Sequence, residues 1–350
     1  MLKRKTGLIV CMLILLVALA ACKNKDTAES APKESEEPEQ TEPVAEPEPE
    51  FKNVYPFTGI KTNDPVNNRA VAVMVNNFYK ARPQTGLSQA DIVFEILAEG
   101  DITRFIAFFQ SQQPEVVGPV RSAREYYFNL AKDYNALYVY HGAATHVEAA
   151  LRANGPDSLS GSYYDNDGHL FERADFREAP HNSYLLFSNV YEVASEQGYE
   201  VEANYEPLPF LAEEDIPTIQ GTAATEVSFS YFANDPIHYT YDEAAQKYLR
   251  YNGDMQTVEL ETDEPIQLDN IFIMETAHSV IDDKGRREVD LQSGGNALLL
   301  QKGKVQEVQW RNVDGRILPY KNGQPVGLVP GQTWINVIPE SQGLESVTIQ

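Results

Sequence analysis

The sequence predicts an α+β protein: an N-terminal mixed α/β layer domain followed by a β-rich antiparallel C-terminal domain. Three observations predict it. From Arg69 to Gly198, apolar runs alternate with amphipathic stretches, as strands and helices do in a layered α/β fold. From Val227 onward the period changes to two in VSFSYF, IHYTYD and QKYLRYN, the pattern of half-buried strands. The strongest hairpin signal, Asn322-Gly323, also lies in this second part. No internal repeat is present.

In chain order, RAVAVMVNN (69–77) reads as a buried strand. ADIVFEILAEGDITRFIAFFQ (90–110) reads as a hairpin around Gly100-Asp101, a glycine-first pair that suits a type II′ turn. With those two as the turn, Glu99 faces Ile102, Leu97 faces Arg104 and Glu95 faces Ile106. Glu95, Glu99 and Arg104 then share one face. GPVRSAREYYFNLA launches a helix from Ser122 to about Tyr134, with Ser122 as N-cap and Glu125 completing a capping box. ALYVYH is the next strand, and THVEAALRAN is a helix closed by Gly155. A further helix runs from near Ser188 to Gly198. The composition of 205–225 marks a break, so the body divides into 51–210 and 225–350. In the second part DNIFIMETAH, ALLLQKGKVQEVQW, PYKNGQPVGLV and PGQTWINVIP read as strands and hairpins, with turns at Lys302-Gly303 and Asn322-Gly323.

Residues 1–21 read as a secretory leader: Lys3, Arg4 and Lys5, an apolar run, then small residues. The run is shorter than the roughly 20 residues of a spanning helix. Leu19-Ala20-Ala21-Cys22 resembles a bacterial lipobox, which implies cleavage before Cys22 and diacylglycerol, with palmitate-type acyl chains, on its thiol. The protein is then held on the extracytoplasmic face of the cell membrane. Residues 22–50 are rich in proline and glutamate, and extend as a tether. The only other cysteine is Cys11, so the body has no disulfide and no thiol nucleophile. The chain carries −24; the leader contributes +3 and the tether −7, leaving −20 on the body. Such a body is a poor partner for nucleic acid, whose phosphates need neutralising cations. Any anion site in it must be a local basic cluster.

Arg121 and Arg124 are candidates for that cluster. Cations are disfavoured at a helix start, so either the fold supplies carboxylates to meet them or an anion binds from outside. In the first case Arg104 pairs with Glu95 and Glu99 and the other arginines join a structural network. In the second, two guanidinium forks hold phosphate or carboxylate. His141 ends a strand, and His181-Asn182 lies in a loop with Glu172, Arg173 and Arg177, a possible second wall of the same cleft. Glu95 or Glu99 as a general acid for wall-glycan cleavage is the enzymatic alternative, weakened by the neighbouring arginines, which lower a carboxyl pKa. A scaffold that binds only protein is a third. No metal site is predicted: HExxH and Cys/His spacings are absent, and Asp165-Asn166-Asp167-Gly168 fails the EF-hand pattern. No cofactor motif is present, and Ser122 is better explained by capping than by catalysis.

ARPQTGLSQADIVFEILAEGDITRF, VVGPVRSAREYY, ALYVYHGA, REAPHNSY and PGQTWINVIP together resemble the YerB-like lipoproteins of Gram-positive bacteria. The resemblance covers most of the body and the lipobox. It implies an extracytoplasmic lipoprotein with an N-terminal and a C-terminal domain and unknown function. It offers no catalytic residues to carry over. The reading of the residues themselves is an accessory or binding protein of the cell envelope. Its cleft is formed by Glu95, Glu99, Arg104, Arg121, Arg124, His141, His181 and Asn182, and its partner is an anionic wall fragment, a lipid-linked precursor or an envelope protein.

Overall fold

The computed structural model describes residues 50–232 and 236–350. The leader, Cys22 and all of the tether before Glu50 lie outside the described residues.

The strand Val71–Asn76 (β1) is buried at every position, as are nearly all residues of Ile92–Glu99 (β2) and Ile102–Phe109 (β3). A strand covered on both faces reads as an unbroken apolar run. One set of alternate residues, including Val73, Val93, Leu97 and Phe105, packs in one core; the other set, Met74, Phe94, Ile96 and Ile106, packs in a second.

The second core is closed by two helices, Glu125–Asp133 (α1) and Thr145–Asn154 (α2), through Tyr127, Leu130, Val147 and Leu151. Between them runs Leu137–Tyr140 (β4), and after α2 comes Ser158–Ser160 (β5). The first core is closed by the helix Val190–Glu196 (α3) and by a second sheet containing Glu226–Ser230 (β6), Pro236–Asp242 (β7) and Lys247–Asn252 (β8). These three strands pair antiparallel in sequence order.

Further along the chain come Asn270–Thr276 (β9), His278–Val280 (β10), Arg287–Val289 (β11), Gly295–Gln301 (β12), Lys304–Val313 (β13), Arg316–Lys321 (β14), Gln324–Pro325 (β15) and Thr333–Pro339 (β16), besides several shorter strands. The turns expected at Lys302-Gly303 and Asn322-Gly323 have both residues at positive φ, as a two-residue hairpin turn requires. β10 and β11 form a separate two-stranded hairpin.

The expected N-terminal α/β layer is not a separate layer. One twelve-stranded sheet runs β15-β14-β13-β12-β9-β16-β2-β3-β1-β4-β5, with a short strand at Thr222–Ala223 on β13. The C-terminal β16 lies parallel between β9 and β2, so PGQTWINVIP stitches the two halves rather than closing the second one. The chain is mostly β, and the β-rich C-terminal half is as expected. Glu50–Gln350 is one compact unit. The short helices α1 and α2 on one face, and a β-sheet with α3 on the other, replace the two helical layers of an α/β fold.

Candidate functional site

The hairpin turn is where it was expected: Glu99 pairs with Ile102, and Gly100 has φ +51°. The register beyond it is not. A β-bulge lies between Leu97 and Glu99, so Leu97 faces Thr103, Ile96 faces Arg104 and Glu95 faces Phe105. One extra residue, Ala98, moves all that follows to the other side of the pleat. Glu95, Glu99 and Arg104 therefore do not share a face. The Tyr126 hydroxyl donates to the Leu97 carbonyl at 2.7 Å, and the Tyr127 hydroxyl to the Ile96 carbonyl at 2.7 Å, so α1 fastens the bulge.

Glu95 faces the second sheet. Its Oε2 accepts from Arg250 of β8 at 2.7 Å, and both side chains are wholly buried. Its Oε1 accepts from Asn77 at 3.0 Å and from the Thr103 hydroxyl at 2.9 Å. Arg250 donates further to Asn252 and Thr257 and lies over the rings of Trp334 and Phe105. This is a closed ion pair, sealed from solvent, in which only the Arg250 Nε is left without an acceptor.

Glu99 faces the helices. One carboxylate oxygen accepts from Arg104 and the other from Arg124. Arg104 also donates to the Ser122 carbonyl at 2.7 Å. Burial, then the charge of Arg124, pull the Arg104 guanidinium down to about 10, against Glu99. Three arginines thus crowd a single carboxylate, since Arg121 also lies within its electrostatic reach.

The expected capping box is absent. Arg124, in extended conformation, is the N-cap of α1, and Ser122 caps nothing. Backbone pairing explains this. Val120 N–H donates to Ser183 C=O at 2.7 Å, Arg121 N–H to Met74 C=O at 2.9 Å and Ala123 N–H to Gly142 C=O at 2.9 Å. Those bonds hold 120–123 extended, and the helix begins only after them.

Arg121 has no hydrogen-bond acceptor or contact ion pair among the described residues, and its Nε is buried. Burial lowers its pKa, with Glu99 opposing and Arg124 adding to the shift. Its carbonyl accepts from His141 N–H at 3.0 Å, so the two residues are backbone neighbours. The His141 Nε2 lies 3.4 Å from Arg173 Nη2, which can only donate, so the proton sits on Nδ1 and goes to Ser183 Oγ at 2.7 Å. Arg173 is held by Asp165 at 2.7 Å and by Asn182 Oδ1 at 2.9 Å.

His181 faces Arg121 from the loop side. Phe78 N–H donates to Asn76 Oδ1 at 3.0 Å, which fixes that amide. Asn76 Nδ2 then donates to His181 Nδ1 at 2.8 Å, leaving the imidazole proton on Nε2. Phe78 stacks on the ring at 5.1 Å. Burial lowers both histidine pKa values. Arg173 and then Arg121 add to the shift at His141, and Arg121, Lys80 and Arg177 at His181. Both imidazoles are neutral at pH 7.

The eight expected residues therefore fall into three groups. Glu95 belongs to a closed pair, and Glu99, Arg104 and Arg124 to a bridged triad. Arg121, His141 and His181 lie among the cations Arg173, Arg177 and Lys80, and Asn182, itself buried, holds Arg173. Sequence reasoning missed Arg250, whose inward position in KYLRYN, between buried Tyr248 and Asn252, was the available signal. It missed Asn76 and Phe78, which carry no such signal. Among the described residues no group of three or more His, Cys, Asp or Glu is placed to hold a metal, and no helix is long and apolar enough to cross a membrane.

The model for the N-terminal domain of a protein family of unknown function (DUF3048) matches residues 57–200, and the model for its C-terminal domain matches residues 227–335. A relative from Bacillus subtilis (strain 168), named "Putative lipoprotein YerB", is 44% identical over 300 residues, 85% of this chain and 89% of the relative. The crystal structure of the YerB protein from Bacillus subtilis is similar at TM-score 0.78 and 43% identity, covering 85% of this chain and 100% of that one. By both the family models and this relative, the chain belongs to the YerB-like DUF3048 family, two matched domains whose function is unknown.

Proposed function

We propose that the protein is a lipid-anchored, extracytoplasmic binding protein that holds an anionic group, phosphate or carboxylate, at Arg121. One observation carries this reading. Arg121 is a half-buried guanidinium with no acceptor among the described residues, set between two neutral imidazoles and an already bridged carboxylate. Burying part of a guanidinium without an acceptor is costly, and an incoming oxyanion removes that cost through charge-assisted bonds. His181 Nε2–H supplies a second donor. The anchor rests on the Leu-Ala-Ala-Cys sequence at 19–22 and on the relative's name. Wall fragments, lipid-linked precursors and acidic protein segments all present such oxyanions. The general-acid alternative is disfavoured, because Glu95 is sealed with Arg250 and Glu99 is spent on two arginines.

The test is calorimetric titration of the full-length chain in detergent with pyrophosphate and with a carboxylate-bearing muropeptide. At least one binds at submillimolar concentration, and Arg121→Ala weakens it at least tenfold. Equal binding by the variant, or no binding of either at millimolar concentration, overturns the proposal.

A further inference from the structure

A pocket of about 290 Å³ lies between the starts of α1 and α2 and the hairpin β10–β11, and Arg121 is not among its walls. Its apolar wall is Tyr126 of α1, Val147 of α2 and Val289 of β11, with Ile281 in the turn of the hairpin. Ile281 is 52% exposed, an apolar side chain left in contact with solvent beside an apolar wall.

The charges around this pocket are of two kinds. Arg124 and Arg286 are engaged, the first with Glu99 and the second with Asp282 at 3.0 Å. Arg287, Glu125 and Glu288 also line the pocket, and none of them has an ion pair among the described residues. Arg287 Nη2 donates to the Gly100 carbonyl at 2.9 Å, a neutral acceptor that fixes the guanidinium without neutralising it. Its Nε, which is buried, has no acceptor. The other titratable group on the wall, His146, is exposed on the first turn of α2.

We infer that this pocket binds a small zwitterion, an amino acid with an apolar side chain, its carboxylate at Arg287 and its ammonium at Glu288. A simple anion meets two carboxylates here. A simple cation meets Arg287 and two helix starts without side-chain caps, whose first N–H groups carry partial positive charge. A ligand with both charges answers both, through charge-assisted hydrogen bonds at each end. Glu288 takes the ammonium because Glu125 sits in the first turn of α1, where the helix dipole already favours a carboxylate. β11 pairs only with β10, so its outer edge is open, and the consecutive Arg287 and Glu288 border one space. The charges they hold are therefore close together, as on an α-amino acid. Tyr126, Val147, Val289 and Ile281 remain for its side chain. The volume is at the lower end of small-molecule sites, which suits one residue rather than a chain of them.

Calorimetric titration of the full-length chain in detergent with leucine, N-acetylleucine, leucinamide and glycine tests this. Leucine binds at submillimolar concentration. N-acetylleucine lacks the ammonium, leucinamide the carboxylate and glycine the apolar side chain, and each binds at least tenfold more weakly. Arg287→Ala and Glu288→Gln each weaken leucine at least tenfold, whereas Arg121→Ala leaves it unchanged. Glu288 is exposed, so Glu288→Gln keeps the fold intact. No leucine binding at millimolar concentration, or unchanged binding in Glu288→Gln, overturns the inference. N-acetylleucine or leucinamide binding as tightly as leucine makes the pocket a plain anion or amine site and overturns it too. Glycine binding as tightly overturns the role of the apolar wall. Weakening by Arg121→Ala places leucine at the anion site proposed above and ends the case for a second one.

Discussion

Glu95 and Glu99 are four residues apart on one strand, and both meet arginine. They nevertheless end in unlike surroundings. Glu95 has one arginine, two neutral donors and no exposed surface, and its arginine has further acceptors and two aromatic faces. Glu99 is 23% exposed on its side chain, holds two arginines and has a third nearby with no acceptor. The difference teaches that charge balance and burial, not proximity in sequence, decide what an arginine–carboxylate cluster does. A balanced, sealed pair belongs to the fold. A cluster with surplus cations at a solvent boundary is, in the reading we propose, the one that takes an anion.

The largest effect is expected at the sealed pair. Glu95→Ala leaves Arg250 charged, buried and without its counter-ion, which costs about 3–5 kcal/mol. Chemical denaturation of the full-length chain reads this directly. Glu95→Gln with Arg250→Met removes both charges and recovers most of the loss, since a buried ion pair is weak net support for a fold. A cost below about 1 kcal/mol for Glu95→Ala would place the pair in contact with water and end the contrast with Glu99.

The bridged triad comes second. Arg124→Ala leaves Glu99 still bonded to Arg104, so the carboxylate is not orphaned. The loss is one charge-assisted hydrogen bond, about 1.5–3 kcal/mol. Arg121→Ala comes third. It removes a half-buried cation that has no acceptor, so the fold loses no bond and its stability does not fall, while stabilisation by pyrophosphate is abolished. If Arg121→Ala destabilises as much as Arg124→Ala, Arg121 belongs to the fold and the open side of the comparison disappears.

How far this contrast was legible in the sequence turns on single residues. The turn at Gly100-Asp101 and the pair Glu99–Ile102 follow from turn chemistry, which is local. The inserted Ala98 does not: nothing in FEILAEGD marks it, and it is stabilised by tyrosine hydroxyls on α1, over twenty residues away. Ser122 satisfies the local capping pattern, but pairing to Met74, Gly142 and Ser183 overrides it. Likewise PGQTWINVIP reads as a strand, yet its parallel neighbours β2 and β9 cannot be read from it, because buried parallel strands share one apolar signature. Residue types and local elements were readable, whereas their faces and partners depended on contacts distant in sequence.

The smallest expected effect tests whether Arg121 lies where the open side of the comparison needs it. Both His141 and His181 are held below the ordinary 6.5, chiefly by burial and then by neighbouring cations, Arg121 among them. Because their folded pKa values are depressed, the unfolded chain takes up more protons once the pH falls below 6.5. Their contribution to stability is complete above that pH and is lost progressively below it. Arg121→Ala removes one of the cations, so both imidazoles titrate at higher pH and the acid loss shrinks. His278 is an internal control. Burial pulls it to about 4, and its neighbouring cation is Arg287, so it stays where it is. Nuclear magnetic resonance of the imidazole C–H signals follows all three at once. If His141 and His181 hold still with His278, Arg121 does not share their field. If all three move, the substitution has loosened the fold generally. Only a shift confined to His141 and His181 fits a guanidinium standing open between them, while four residues of strand away Glu95 keeps its own arginine sealed.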